Sequence, residues 1–398
     1  MKFGIIQERK DPPDRRVVLS PIVCQAVLQN HPEAKIIVEP SPIRVFDDSE
    51  YKELGIEVAS KMEECDVLLG VKEVPIEALI PNKKYFFFSH TIKKQPYNRD
   101  LLRAILEKNI ELYDYEVITS PKGQRLVAFG RYAGIVGAYN GIRAYGLKYQ
   151  SFHLPKAENL KDQKALIAEL NQIQLPNIKI LLTGKGRVGN GAKEMLDAMH
   201  LKRVNVAEYL SEEFNEPVYC QIDASEYNKR KDGVRGNKAD FFENPEEYRS
   251  DFFRFAEVTD FYIAGHFYGD GAPYLYTRED AKHPNFKIKV VADISCDIDG
   301  PVATTIQPST IANPIYGYQP ETESVVDYLN PEAIAVMAVD NLPAELPRDA
   351  SDGFGEAFAK YVIPAFFNGD KDEILERARM TRDGKLTERY AYLQDYVD

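Results

Sequence analysis

The feature that most limits what this chain can fold into is residues 178–192, IKILLTGKGRVGNGA. An apolar run of strand length is followed by Gly184-Lys185-Gly186-Arg187-Val188-Gly189 and then by Gly191, Ala192, Met195 and Leu196 at helical spacing. A chain can pass so abruptly from buried strand to packed helix only through a tight turn, and glycine removes the steric obstacles to the turn and to close helix–strand packing. Repeated strand–turn–helix units build a parallel sheet covered by helices. The amino terminus of such a helix also presents unpaired N–H groups and a partial positive charge to an anion. The spacing therefore predicts that Gly184, Gly186, Arg187, Val188 and Gly189 hold the pyrophosphate of a dinucleotide.

A second strand is expected over 204–207, with Glu208 at its end, 19 positions after Gly189. An acid in that place accepts hydrogen bonds from the adenosine ribose, which favours NAD as cofactor. NADP stays open, because Lys202, Arg203 or Arg187 could offset the charge of Glu208 against a 2′-phosphate.

At 398 residues the chain exceeds what one core usually organises, so two domains are expected. In the first third, apolar runs at 2–7, 35–38, 67–71, 85–89 and 111–113 alternate with helical segments at 21–29 and 98–108. A small-residue helix, GIVGAYNGIRAYGL (134–147), could bridge the two domains, and a second α/β series follows, with further strands at 261–264 and 287–292. Residues 228–247, rich in charge, Gly and Asn, read as a solvated loop, and helix is expected from about residue 340 to the end. The predicted fold is α/β: two Rossmann-like domains with mainly parallel sheets and the active cleft between them. Residues 1–135 plus 345–398 would form the substrate domain, and 136–344 the dinucleotide domain.

A net charge of −12 argues against nucleic acid or an anionic membrane as partner, since both are bound through excess Lys and Arg. No stretch approaches a membrane span and no apolar leader opens the sequence, so a cytoplasmic protein is expected. Cys24, Cys65, Cys220 and Cys296 form no metal-ligand spacing, and free thiols without a metal site are expected.

In the first third, polar residues stand where strands end. Lys72 and Glu73 follow VLLGV, His90 follows YFFFS, and Asp114 and Glu116 follow IELY. Strand ends converge on one rim of a parallel sheet, where open α/β sheets place ligands. A lysine and a histidine beside an acid suit proton transfer, since histidine titrates near neutrality and burial lowers a lysine toward it. Each charge would equally serve to end a strand in solvent. Arg16, Lys93, Arg125 and Arg131 flank the same strands and suit carboxylates.

The segments RVVLSP (16–21), GVKEVP (70–75), FFFSHTIKKQ (86–95), LYDYE (112–116), QRLVAFGRYAG (124–134), GKGRVGNGA (184–192), VADISCDIDG (291–300) and VDNLPAELPRDAS (339–351) together resemble the lysine-forming saccharopine dehydrogenases. They are similar also to the lysine–2-oxoglutarate reductase domain of bifunctional lysine-degrading enzymes, with alanine dehydrogenase more distant. The resemblance implies reversible joining of the lysine ε-amine to 2-oxoglutarate through an imine, with hydride transfer to or from a nicotinamide. It implies Lys72 and His90 as the acid/base pair, with Glu116 tuning them. Arg16, Lys93, Arg125 and Phe129 would contact substrate, while Asp297 and Asp340, Asn341 and Leu342 would lie on the cofactor side. An amino acid and a 2-oxo acid are thus the expected partners. The alternatives are an alanine dehydrogenase-like enzyme using another amine or 2-oxo acid, and a dinucleotide-binding sensor without catalysis.

Overall fold

Short apolar strands joined by one-sided helices need a parallel sheet to satisfy them. The computed structural model, which describes all 398 residues, contains two such sheets. The chain divides into two units, Met1–Phe129 with Pro347–Asp398, and Gly130–Leu346.

The first unit runs β1 (Lys2–Ile5), α1 (Pro21–Asn30), β2 (Lys35–Val38), α2 (Asp48–Glu53), β3 (Glu57–Val58), β4 (Val67–Leu69), β5 (Lys84–Phe87), α3 (Arg99–Glu107) and β6 (Glu111–Asp114). All six strands are parallel in the order β3-β2-β1-β4-β5-β6, so the chain winds outward in two directions from β1. Both faces are covered, which is why Leu68, Leu69, Phe86 and Phe87 are all buried and the strands read as unbroken apolar runs. Helix α3 turns Leu101, Leu102, Ala104 and Ile105 inward. Helix Pro347–Tyr361 returns to this unit, where Gly355 packs so close to the 16–21 segment that an added Cβ would lie 2.7 Å from the Val18 carbonyl oxygen. Ser351 Oγ accepts a 2.9 Å bond from Val17 N–H, fixing the backbone beside Arg16.

Beyond that helix the structure corrects the expectation of helix to the end of the chain. It ends in short helical turns and a hairpin, Thr381–Arg382 against Lys385–Leu386, whose Thr381 Oγ1 accepts from Leu112 N–H at 2.8 Å.

The second unit begins with α4 (Gly130–Tyr149) and α5 (Gln163–Leu170), then β7 (Lys179–Thr183), α6 (Arg187–Ala198), β8 (Lys202–Arg203), α7 (Val206–Ser211) and β9 (Val218–Ile222). It continues through α8 (Ala224–Tyr227), β10 (Asn228–Arg230), α9 (Lys238–Glu243), β11 (Tyr248–Ser250), β12 (Phe261–Ala264), β13 (Val290–Asp293), β14 (Ile315–Gln319), β15 (Ser324–Val326) and β16 (Ile334–Met337). Strand order is β15-β14-β16-β13-β12-β7-β9-β8, with only β14 running against the others. The glycines of α4 serve packing inside this unit. A Cβ on Gly134 would fall 2.0 Å from the Val188 carbonyl oxygen, and one on Gly191 of α6 would fall 2.0 Å from that of Arg131.

Two expectations are corrected here. Residues 204–207 are not a strand: Asn205 caps α7, its side chain accepting from Glu208 N–H at 3.0 Å while Glu208 returns the bond to Asn205 N–H at 2.8 Å. The Asn-x-x-Glu spacing of this reciprocal cap outweighs the apolar run. Residues 228–247 are not a loop throughout, since β10 and β11 pair antiparallel around α9, which buries Phe241. The charges that suggested solvent pair among themselves, Arg230 with Asp232 and Asp240 at 2.7 and 2.8 Å, and Tyr248 with Asp240.

Candidate functional site

Two rims carry the candidate chemistry, one in each unit. In the first, Lys72, His90 and Glu116 follow the adjacent strands β4, β5 and β6 at their C-terminal ends. The side chain brought to His90 is Glu73: its Oε1 lies 2.6 Å from His90 Nδ1, and its Oε2 accepts from Lys10 Nζ at 2.7 Å. Asn98 Nδ2 donates to the same Oε1 at 3.2 Å and to the Ser89 carbonyl at 2.8 Å. Burial pushes the Glu73 carboxyl up, but the bonds from His90 and Lys10 overcome this and hold it at about 2. His90 reaches this contact with φ of 52°, a left-handed conformation uncommon outside glycine, which the surrounding contacts hold in place.

Lys72 is half-buried. Burial and then the positive Arg16 lower its pKa below the ordinary lysine value, while Asp14 and Glu73 act the other way. Glu8 accepts from the backbone N–H groups of Val71 and Lys72 at 2.6 and 2.9 Å, clamping the turn on which Lys72 rides. No hydrogen bond or ion pair joins the Glu116 carboxylate to Lys72 or His90. Its place is set through its own N–H, which donates to the buried Asp114 at 2.7 Å. Asp114 also accepts from Ser89 N–H at 2.8 Å, so one carboxylate ties together the turns carrying His90 and Glu116.

Of the expected substrate cations, Arg16 is buried, doubly bonded to Asp14 at 3.0 and 2.6 Å, and lies 4.3 Å over the Phe129 ring. Arg125 donates to the Val127 carbonyl at 3.0 Å and stands 5.4 Å over Phe88, whose ring neighbours both Phe129 and His90. These contacts join Arg16, Phe129, Arg125 and His90 through one aromatic patch. Lys93 is exposed. Arg131 belongs to the second unit and pairs with Glu194 at 2.7 Å.

In the second unit each glycine of the turn has its own reason. Gly184 has φ of +94°, and a Cβ there would lie 2.3 Å from the Gly265 carbonyl oxygen. A Cβ on Gly189 would fall 2.0 Å from the Gly184 carbonyl oxygen. Above Gly186 there is nothing within 4 Å, and it caps α6 with no side-chain hydrogen bond. An uncapped helix start with open space over it fits a phosphate. Arg187 is exposed on the first turn of α6, and Val188 is half-buried beside it.

A cavity of ≈ 250 Å³ borders the turn, lined also by Asp223, Tyr227, Lys238, Phe242, His266 and Phe267. Asp223, Lys185 and Lys238 line in addition a larger cavity of ≈ 740 Å³ beside β10 and β11. Asp223 follows β9, the strand paired with β7, and Lys238 Nζ lies 3.1 Å from its Oδ2. Glu208 instead sits on α7 with its carboxylate engaged in the helix cap. Asp223 is likewise engaged in a helix cap, its Oδ1 accepting from Ala224 N–H at 2.8 Å, and its place at the end of the strand next to β7 makes it a second candidate for the ribose-binding acid beside Glu208. Strand β8, the next in the chain, lies at the sheet edge, and β9 takes the inner place. Asp297 is exposed on the loop after β13, Asp340 is exposed after β16, and Asn341 caps the short helix Leu342–Glu345. Asp297 and Asp340 both act on the Cys296 thiol, which places them in one neighbourhood.

All four cysteines are free, no group of three or more His, Cys, Asp or Glu side chains is disposed to hold a metal ion, and no helix is long and apolar enough to cross a membrane.

The family profile described as "Alanine dehydrogenase/PNT, N-terminal domain" matches residues 4–136. The alpha-aminoadipic semialdehyde synthase of Arabidopsis thaliana is 26% identical over 435 residues, covering 98% of this chain and 41% of that protein. The mitochondrial enzyme of that name from Mus musculus is 29% identical over 410 residues, covering 90% and 44%. The chain thus spans less than half the length of these relatives. The saccharopine dehydrogenase (NAD⁺, L-lysine-forming) of Candida glabrata is 26% identical over 400 residues, covering 94% of this chain and 97% of that one. Among solved structures, an L-alanine dehydrogenase matches with a TM-score of 0.66 and 15% identity over 100% of both chains. A transhydrogenase from Sinorhizobium meliloti matches with 0.54 and 14% over 97% and 99%. These two likenesses show the fold. The resemblance read from the sequence motifs is therefore a homology extending over nearly the whole chain.

Proposed function

We propose that this homologue of the lysine-forming saccharopine dehydrogenases is an NAD-dependent amino-acid dehydrogenase that interconverts saccharopine and water with lysine and 2-oxoglutarate. The observation that carries the reading is the Lys72–Glu73–His90 group on one strand rim of a chain that also has a dinucleotide-type glycine turn.

In the lysine-forming direction saccharopine loses a hydride from the carbon of its secondary amine and a proton from the nitrogen, leaving an imine. Water adds to give a carbinolamine, whose collapse releases lysine and 2-oxoglutarate. The balance is saccharopine, NAD⁺ and water giving lysine, 2-oxoglutarate, NADH and a proton. A dinucleotide whose pyrophosphate is held by Gly184, Gly186, Arg187, Val188 and Gly189 would supply, in its nicotinamide, the hydride acceptor. Lys72, its pKa lowered by burial and by Arg16, is suited to take the amine proton. His90 has Nδ1 engaged by Glu73, which leaves Nε2 for the proton transfers to and from water and the carbinolamine. Glu116, on the neighbouring turn, is a further ionisable group of this rim, assigned to tune the pair. Saccharopine carries three carboxylates, and Arg16, Lys93 and Arg125 are the cations we assign to them, with Phe129 supporting Arg16.

The preference for NAD rests on Asp223, whose carboxylate would accept from ribose hydroxyls and repel a 2′-phosphate. Asp297, Asp340, Asn341 and Leu342, on loops following β13 and β16, are assigned to the nicotinamide side.

The test follows NADH and NADPH oxidation with 2-oxoglutarate plus lysine, ornithine or ammonia, and with pyruvate plus ammonia. Turnover is expected with lysine and 2-oxoglutarate, and faster with NADH. Turnover with pyruvate and ammonia but not lysine would replace the saccharopine reading by the alanine dehydrogenase-like one. NADH binding without turnover on any pair would leave a sensor.

A further inference from the structure

His266 takes no part in the acid–base chemistry above, yet it is a buried polar group with an unpaired ring nitrogen. It follows β12 and lies beside the glycine turn, since a Cβ on Gly184 would come within 2.9 Å of the His266 Cα. It lines the same cavity as Gly184, Gly186 and Asp223. Strands β7 and β12 are the neighbours from which the chain winds outward on either side, and ligands of open α/β sheets bind at such a divide. The side chain is 7% exposed, and its Nε2 is buried with no hydrogen-bond partner.

The partners of the other ring nitrogen fix the tautomer. Nδ1 lies 3.0 Å from Thr183 Oγ1, which lies 2.9 Å from the buried Tyr262 hydroxyl. If Nδ1 carried the proton, one hydroxyl hydrogen of the Thr183–Tyr262 pair would be stranded and the Nε2 lone pair would be left unpaired as well, two unmet groups instead of one. If Tyr262 donates to Thr183 and Thr183 to Nδ1, every hydroxyl proton in the chain is used. The second arrangement puts the proton on Nε2, a buried N–H with no acceptor in the protein. Burial alone holds the imidazole neutral, lowering its pKa to about 4. A buried donor left unpaired costs stability, and its place beside an open phosphate-type turn says what would pair it.

We propose that His266 is a cofactor-contacting residue, its Nε2–H donating to an oxygen of the sugar–pyrophosphate backbone of the dinucleotide held at the glycine turn. The proposal rests on the dinucleotide reading of that turn and adds to it a neutral donor supplied by a side chain. Thr183 and Tyr262 are positioning residues that hold the imidazole in the donating tautomer.

The experiment measures dissociation constants of NADH and of ADP-ribose, which keeps both phosphates and both sugars but lacks nicotinamide, for the full chain and for His266→Leu and His266→Gln. His266→Leu is expected to weaken both ligands by roughly ten- to a hundredfold, the size of one hydrogen bond to a charged group. Glutamine, which keeps a donor, should recover most of that loss. The ligand-free melting temperature of the leucine variant should equal or exceed that of the wild type, because an unpaired donor has been removed. Unchanged affinity in His266→Leu overturns the proposal, and so does a loss confined to NADH. A melting temperature that falls together with affinity, without rescue by glutamine, marks a structural role and overturns it as well. Failure of the wild type to bind either ligand overturns the dinucleotide reading and this proposal together, whereas tight wild-type binding with an unaltered variant overturns this proposal alone.

Discussion

The two parallel sheets share a plan and differ in what they place at their divide. On the rim of the first, charges face one another: Glu73 between His90 and Lys10, Arg16 locked to Asp14, and Lys72 among them with a lowered pKa. At the second, the glycine turn exposes backbone and a helix start without a side-chain cap, beside a buried neutral imidazole. One architecture thus serves two ends. A rim that must move protons needs ionisable groups whose pKa values are set by each other, whereas a rim that must hold an anion needs donors without charge competition.

The largest expected effect separates the rims by rate. Lys72→Met and His90→Gln should each lower kcat by ~10²–10⁴-fold, the usual contribution of a general acid or base. Steady-state kinetics on lysine and 2-oxoglutarate measures this, and unchanged rates would remove both residues from the proton path.

Next in size is the backbone of the second rim. Gly189→Ala puts a methyl group 2.0 Å from the Gly184 carbonyl oxygen, so the turn must open. A stability loss of about 1–3 kcal/mol is expected from the overpacking, with weaker NADH binding. Calorimetry and NADH titration report the two, and full retention of both would contradict the turn geometry.

A smaller effect distinguishes two acids. Asp223→Asn should weaken NADH binding by roughly tenfold and narrow the gap to NADPH, in keeping with the loss of a charged hydrogen-bond acceptor. Glu208→Gln should change NADH affinity by less than about twofold and cost a few tenths to ~1 kcal/mol through the helix cap. The reverse pattern would restore Glu208 as the ribose acid.

The two rims should also part on acidification. Glu73, depressed to about 2 in the folded chain, contributes stability above its ordinary pKa of 4.5 that is lost as pH falls from there through 2. His266 is neutral when folded and protonates more readily when unfolded, so its contribution is whole above 6.5 and declines as pH falls toward 4. Between pH 6.5 and 4.5 the segment around His266 should therefore lose protection before the turn that carries Glu73. Hydrogen exchange resolved by segment checks this, and His266→Leu should lessen the pH slope in that window.

What was legible in the sequence was whatever burial writes locally. Strands covered on both faces leave apolar runs, and the glycine turn sits directly after β7, so the sheets and the strand-end placement of Lys72, His90 and Glu116 could be read directly. What was missed depends on pairing across the chain. Chain order does not reveal that β9, rather than β8, lies next to β7, so the position of Asp223 beside the turn has no local signal in the sequence. Glu73 stands beside Lys72 in sequence, but its bond to His90 spans 17 positions and depends on the left-handed turn there. Thr183 and His266 lie 83 positions apart, and no local pattern marks an imidazole whose second nitrogen has been left free. The hairpin around α9 reads as a solvated loop in the sequence because nothing local shows that its charges pair with each other.

The division of labour between the rims is tested most directly by the NADH dissociation constant of the Lys72→Met variant, measured on the preparation whose turnover has been lost. An affinity within about twofold of wild type is predicted, because uniform cofactor binding and proton transfer belong to different residues. Loss of NADH affinity in proportion to the loss of rate would contradict it.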